Sequence, residues 1–115
     1  MEYLLLIYEN EKVWETMPQA EQGAIFGEYM AFTEDIKKKG SYKGGNPLQP
    51  TTTATTVRVK GGKTLATDGP FAETKEQLGG YYLVEAKDLD EAIAIAGRVP
   101  AAKTGSIEVR PIQKM

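Results

Sequence analysis

The side chains best suited to chemistry lie in one short segment, which contains Asp68, Glu73, Lys75 and Glu76. A carboxylate held in a cleft can have its pKa raised into the range of a general base. We therefore interpret Asp68 as a candidate catalytic residue. Cationic side chains could neutralise an acidic ligand beside it, so Lys75 and Arg58, together with Glu73, are candidate ligand-binding residues.

The same residues also have simpler interpretations. Asp68-Gly69-Pro70 is typical of a tight turn, because aspartate accepts backbone N–H bonds, glycine adopts positive φ and proline fixes its own φ. The charges that follow could form a solvated turn with ion pairs worth about 0.5 kcal/mol each. Asp68, Glu73 and Glu76 could bind magnesium or calcium, but their spacing does not resemble a calcium-binding loop, so no metal site is predicted. The turn and the catalytic interpretations of Asp68 both stay open.

The composition excludes several classes of site. The chain has 115 residues with no cysteine and no histidine, which removes thiolate nucleophiles, iron–sulfur clusters, Ser-His-Asp triads and the commonest zinc ligands. The 14 Lys and Arg residues are balanced by 16 Asp and Glu residues without a basic stripe. A nucleic-acid partner is therefore not expected, and no cofactor is predicted.

Length and hydropathy predict one soluble domain that covers residues 1–115. The longest apolar run is Tyr3–Tyr8, which is bracketed by Glu2 and Glu9. It is far shorter than the ~20 residues needed to cross a bilayer, and it lacks the basic leader of a signal peptide. We expect a cytoplasmic protein without membrane association.

The elements that must position these residues follow from periodicity. Apolar residues at three- and four-residue steps predict a helix from about Pro18 to Lys39, and Asp88 with Glu91 predicts a capping box at the start of a second helix. Alternation from Thr56 to Lys60, then Gly61-Gly62 and Lys63–Thr67, indicates a hairpin. The remaining strands are predicted at Tyr3–Tyr8, Ser41–Leu48, Leu78–Ala86 and Ile107–Arg110.

This order is that of the split βαβ, or ferredoxin-like, α+β fold with an added hairpin. Both helices should cover one face of a mostly antiparallel sheet. The other face would carry large side chains such as Tyr3 or Tyr8 and one member of the Tyr81/Tyr82 pair. A sheet that is apolar on both faces usually buries the second face against another subunit, so a homodimer is predicted.

The segment Asp68–Glu76 resembles the DGPF-domain proteins, a branch of the YCII-related family. The resemblance continues through Gln77–Tyr82 and extends over nearly the whole chain. It includes the segments Tyr3–Tyr8, Glu28–Phe32, Thr53–Arg58 and Gly105–Pro111. What the family implies is a ferredoxin-like subunit that pairs its sheets as a dimeric α+β barrel, with a biochemical role that is largely undefined.

The resemblance also implies a comparison of site residues. A His-Asp pair has been proposed for YCII-type relatives, with the histidine on the first helix. Counting back from Gly40, that position holds Tyr29 in this chain, and the aspartate matches Asp68. Tyrosine titrates near pH ~10 and is a poor base at neutral pH, which weakens an enzyme hypothesis carried over from that branch.

Two functional hypotheses follow. The first is a protein that binds a small polar or acidic molecule in a cleft between the first helix and the sheet, with acid–base chemistry at Asp68 and with Tyr29 and Arg58 nearby. The second is a non-catalytic regulatory or interaction protein, since the resemblance implies companions of extracytoplasmic-function sigma factors. An enclosed cavity containing the Asp68 carboxylate would favour the first hypothesis, and an Asp68 satisfied by its own turn would favour the second.

Overall fold

The computed structural model describes residues 1–115, which form six strands and three α-helices. The strands are β1 (Glu2–Glu9), β2 (Tyr42–Pro47), β3 (Thr55–Lys60), β4 (Lys63–Asp68), β5 (Gln77–Glu85) and β6 (Ser106–Pro111). The helices are α1 (Glu11–Glu15), α2 (Gln19–Lys38) and α3 (Leu89–Ala96), with 3-10 turns at Thr51–Thr53 and Pro100–Lys103. No helix in the structure has both the length and the apolar character that a bilayer crossing requires.

Four strands form the main sheet in the order β2-β5-β1-β6, and every neighbouring pair is antiparallel. In the centre of this sheet Leu5 of β1 lies opposite Tyr82 of β5 and Val109 of β6. The strand order and the intervening helices are consistent with the ferredoxin-like α+β fold that the sequence predicts.

The core lies between the sheet and helices α2 and α3. Period-2 alternation in β1 turns Tyr3, Leu5 and Ile7 toward the helices, and Leu5 is 0% exposed. The stripe predicted on the first long helix supplies Phe32 and Ile36, both buried. The predicted packing of both helices on one sheet face is therefore confirmed.

The opposite face of the sheet, here called the open face, has no layer packed on it. Leu4 and Leu6 of β1 lie opposite Leu83 and Tyr81 of β5, and all four side chains are half-buried by their strand neighbours alone. Tyr81 and Tyr82 point to opposite faces, as the sequence predicts. Large apolar side chains consequently occur on both sides of the main sheet.

Strands β3 and β4 form a separate hairpin, here called the arm (residues 55–68), that makes no ladder with the main sheet. Every arm residue except Thr56 is exposed. The radius of gyration of the chain is 16.1 Å, against about 13 Å for a compact chain of this length. The predicted hairpin is therefore present, and it projects from the rest of the molecule.

Helix α1 was not predicted from the sequence, which indicated only a break between the first strand and Pro18. The side chain of Asn10 caps this helix by accepting a hydrogen bond from the backbone N–H of Lys12, at 3.0 Å. Gln22 of α2 donates a hydrogen bond to the carbonyl oxygen of Trp14, at 2.8 Å. These contacts fold α1 back and hold Trp14 against α2.

Candidate functional site

A cavity with a volume of about 450 Å³ lies between α1, α2 and the β2–β5 edge of the sheet. Trp14 of α1 and Phe26 and Tyr29 of α2 line one side. Tyr82 of β5 and Gly45 of β2 line the other side. Binding sites for small molecules commonly have this volume and this mixture of aromatic walls with a few polar groups.

Aromatic contacts fix the walls of the cavity. The rings of Trp14 and Phe26 meet edge to face, with centroids 5.6 Å apart and an interplanar angle of 86°. The hydroxyl of Tyr82 shares a hydrogen bond of 2.7 Å with the hydroxyl of Thr33, which satisfies the polar end of that ring. The walls are therefore held in place by the fold without a ligand.

Glycine is required where β2 crosses the floor of the cavity. A Cβ atom on Gly45 would lie 2.8 Å from the carbonyl oxygen of Tyr81 and 2.9 Å from the ring of Tyr82. A Cβ atom on Gly80 would lie 3.2 Å from the carbonyl oxygen of Asn46. Gly45 and Gly80 thus permit a close approach of the β2 and β5 backbones.

Burial shifts the pKa of three cavity residues, Glu9, Tyr29 and Tyr82, of which Glu9 and Tyr29 also feel a nearby negative charge. Burial, and then the negative charge of Glu76, raise the pKa of the Glu9 carboxyl above its usual range. Burial, and then the negative charge of Glu9, raise the pKa of the Tyr29 hydroxyl. Tyr29 therefore stays protonated at neutral pH and can donate a hydrogen bond, while the Glu9 carboxyl titrates closer to neutrality than an exposed glutamate.

Glu11 also lines the cavity, but its carboxylate is already engaged. Its two oxygens accept hydrogen bonds from the backbone N–H of Thr51, at 2.7 Å, and from the hydroxyl of Thr51, at 2.8 Å. The backbone N–H of Glu11 donates to the side-chain oxygen of Gln77, at 2.9 Å. Glu11 therefore ties α1 to the loop that precedes the arm, and its role is to hold this wall in place.

The structure separates the residues that the sequence predicts to form one site. Tyr29 lines the cavity, whereas Asp68, Arg58, Glu73 and Lys75 are exposed and lie outside its lining. The expectation that Asp68 points into the cleft between helix and sheet is wrong within one chain. The physical reason is that Asp68 ends β4, which pairs only with β3 and leaves the main sheet.

Strand register also places Asp68 and Arg58 on opposite faces of the arm. Asp68 lies across from Thr55, and Arg58 lies across from Leu65. Residues directly opposite each other share a face, and successive residues alternate, so Thr55 and Asp68 face away from the side that Arg58 occupies. The two candidates cannot act together on one ligand within a single chain.

The turn after Asp68 does not depend on the Asp68 carboxylate. No protein group donates a hydrogen bond to that carboxylate, and Gly69 takes φ +98° and donates its N–H to the carbonyl oxygen of Ala54, at 2.7 Å. The Thr56 hydroxyl donates to the carbonyl oxygen of Gly69, at 2.8 Å. Neither of the two expectations for Asp68 matches this geometry, and its chemical role stays a prediction.

The candidate cation site of Asp68, Glu73 and Glu76 is not assembled. No three His, Cys, Asp or Glu side chains of the protein lie close enough together to hold a metal ion. Glu76 instead accepts a hydrogen bond from the Ser106 hydroxyl, at 2.8 Å. The acidic segment therefore contributes to the loop that leads into β5.

Sequence reasoning missed several cavity residues, among them Glu9, Trp14 and Gln77. Trp14 belongs to α1, and the Asn10 cap was the local signal for that helix. Glu9 ends an apolar strand and was interpreted only as its polar boundary. Gln77 was noted only within the family resemblance, and its contact with Glu11 depends on tertiary structure that no local pattern shows.

Comparison with known proteins agrees with this architecture. A structure of 5-chloro-2-hydroxyhydroquinone dehydrochlorinase from Burkholderia phenoliruptrix AC1100, in complex with 2,5-dihydroxybenzoquinone, is similar with a TM-score of 0.57. The similarity covers 98% of this chain and 94% of that chain at 16% sequence identity, so it bears on the fold alone.

Sequence comparison is more specific than the structural one. An uncharacterised protein of Rhizobium meliloti (strain 1021) is 40% identical over 114 residues, which are 97% of this chain and 92% of the relative. The YCII-related domain matches residues 1–115, from the first strand through the last. Sequence and fold thus agree with the resemblance first noticed at Asp68–Glu76, and the chain belongs to the YCII-related family.

Proposed function

We propose that this protein binds a small, largely apolar molecule with a single ring in the cavity between α1, α2 and the sheet edge. The observation that carries the proposal is the preformed cavity of about 450 Å³ with aromatic walls. The dehydrochlorinase of similar fold was solved with 2,5-dihydroxybenzoquinone, a single-ring molecule. We carry over from that protein only the size of the ligand.

The polar groups of the cavity give the ligand its orientation. Tyr29 is kept protonated by burial and by the charge of Glu9, so its hydroxyl donates a hydrogen bond to the ligand. Glu9 accepts a hydrogen bond or a proton, because its carboxylate has no donor within the protein. In this proposal Glu9 takes the acid–base role that the sequence assigned to Asp68.

We further propose that a second copy of the chain covers the open face, which gives the dimeric barrel that the family resemblance implies. The support is physical: Leu4, Leu6, Tyr81 and Leu83 are apolar, and no layer of their own chain covers them. Sedimentation of the parent and of Leu6→Lys tests this, with a dimer expected for the parent and a monomer for the variant.

The binding proposal is tested by thermal unfolding with a panel of single-ring aromatic compounds. A compound that binds only the folded chain stabilises it, by about 2.7 kcal/mol at a concentration of 100 times Kd. Trp14→Ala removes one wall and should weaken binding by up to roughly tenfold. Phe71→Ala is the matched control, because Phe71 is 79% exposed and lies outside the cavity. Failure of every compound to bind at millimolar concentration would overturn the proposal.

A further inference from the structure

We infer that the cavity selects a cationic ligand, an ammonium group attached to a small apolar body, over neutral or anionic molecules of the same shape. This inference rests on the proposed binding function and names the charge of its ligand. The sequence leads us to expect a small polar or acidic ligand, and this inference replaces the acidic alternative with a cationic one.

All charged side chains that line the cavity are negative. Three carboxylates, those of Glu9, Glu11 and Glu15, line the cavity, and no lysine or arginine does. The arginine and lysine that the sequence analysis assigned to an acidic ligand lie outside it, on the arm and in the loop that follows. An anion would therefore enter the cavity against like charge, and a cation would enter with opposite charge.

The carboxylate of Glu9 has neither an ion-pair partner nor a hydrogen-bond donor within the protein. The ion pairs of the structure involve the carboxylates of Glu28, Asp35, Glu85 and Glu108, and Glu9 is in none of them. Glu9 also accepts no hydrogen bond from the protein, although it is half-buried. A half-buried carboxylate without a partner is unfavourable, and an ammonium group next to it would supply both opposite charge and hydrogen-bond donors.

The aromatic walls of the cavity provide a second group of contacts for a cation, in addition to the Glu9 carboxylate. The rings of Trp14, Phe26, Tyr29 and Tyr82 all belong to residues that line the cavity, and the faces of aromatic rings attract ammonium groups. Tyr42 also lines the cavity, but the Lys37 ammonium already lies 5.0 Å from the centre of its ring. That ring therefore has a cation partner within the protein. Aromatic walls with an unpaired carboxylate are the combination that recognises organic cations.

The titration of Glu9 agrees with this geometry. Burial, and after it the negative charge of Glu76, raise the pKa of Glu9. No positively charged group lowers it. Tyr29 faces the same carboxylate and stays neutral. A bound ammonium group would lower the pKa of Glu9 again, which means that cation binding should strengthen as Glu9 loses its proton.

The test compares benzylamine, benzyl alcohol and benzoate, which share one ring and differ in charge near neutral pH. Trp14 is the single tryptophan of the chain and lines the cavity, so its fluorescence reports binding directly. We expect protonated benzylamine to bind roughly tenfold more tightly than benzyl alcohol, and benzoate to bind more weakly than either.

Two variants test whether Glu9 causes the preference for benzylamine. Glu9→Gln should remove the advantage of benzylamine over benzyl alcohol, because glutamine keeps a hydrogen-bond acceptor but carries no negative charge. Glu73→Gln is the matched control, because Glu73 is an exposed carboxylate outside the cavity, and it should keep the full preference. Titration of the parent across the pKa of Glu9 is a second measurement, independent of how the variant folds.

The outcomes separate the two proposals. Equal binding of benzylamine and benzyl alcohol, or tighter binding of benzoate, overturns the inference on charge and leaves the binding cavity in place. No binding of any of the three overturns the proposed function and this inference with it. A preference for benzylamine that Glu73→Gln abolishes and Glu9→Gln preserves would move the cation site out of the cavity.

Discussion

The cavity and the arm both combine carboxylates with apolar side chains, but they differ in what surrounds those groups. Around the cavity Glu9 is half-buried and has a raised pKa, and Tyr29 is held neutral. On the arm, Val57 and Val59 are 59% and 66% exposed and Asp68 has no hydrogen-bond partner. The two regions therefore differ in desolvation: neighbouring elements bury Glu9 and raise its pKa, and none of them buries Asp68.

The largest expected difference between the two regions is in folding stability. Leu5→Ala should cost about 2–5 kcal/mol, because Leu5 is fully buried in the core between sheet and helices and truncation leaves a void. Val59→Ala on the arm should change the free energy of unfolding by less than about 0.5 kcal/mol in the isolated chain. Urea denaturation of both variants measures this. A cost for Val59→Ala that grows with protein concentration would show that a second copy covers the arm.

A smaller loss of folding stability is expected at the contact between the cavity wall and the loop that precedes the arm. Thr51→Val removes the hydroxyl that donates to Glu11, which leaves one oxygen of a half-buried carboxylate without that partner. The loss should be about 1–3 kcal/mol by urea denaturation. Thr52→Val in the same 3-10 turn is the control, because the Thr52 hydroxyl makes no hydrogen bond. Equal losses from both variants would show that the contact with Glu11 does not hold α1.

The effect of Glu9 on stability has a defined sign. Its pKa is raised on folding, so the folded chain keeps this proton to higher pH than the unfolded chain does. The ionised carboxylate therefore lowers stability above the raised pKa, and this cost is absent below the ordinary pKa of glutamate. Glu9→Gln should be as stable as the parent at acidic pH and more stable at neutral pH. A variant that is less stable at neutral pH would show that Glu9 is paired.

The smallest effect is expected at Asp68. Asp68→Asn and Asp68→Ala should both stay within about 0.5 kcal/mol of the parent, because the side chain is exposed and makes no hydrogen bond. Chemical denaturation of both variants beside the parent measures this. Clear destabilisation by alanine with parent-like stability for asparagine would instead identify Asp68 as a residue that holds the turn.

The periodicity of apolar residues in the sequence was sufficient to predict most of the helices and strands. The long helix was expected from about Pro18 to Lys39 and is found at Gln19–Lys38. Asp88 caps α3 by accepting a hydrogen bond from the backbone N–H of Glu91, at 2.9 Å, as the predicted capping box requires. These features are local, since caps and stripes are set by residues three or four positions apart.

The site was only partly accessible from the sequence because it depends on tertiary placement. Tyr29 was singled out through the family resemblance, and it lines the cavity. Asp68 and Arg58 were expected in the cleft because charged side chains cluster in this part of the sequence, but the hairpin leaves the main sheet and carries both residues away from it. Glu9 acquires its properties from burial and from Glu76, which is 67 positions away in the sequence and adjacent only after folding.

The central claim is that ligand binding belongs to the cavity and not to the arm. Backbone and indole NMR resonances followed during a titration with benzylamine test it most directly. We predict saturable shifts at the Trp14 indole and at Gly45 and Gly80, which line the cavity, and unchanged resonances at Arg58 and Lys75. Shifts confined to Arg58, Lys75 and their neighbours, with Trp14 unchanged, would contradict the account.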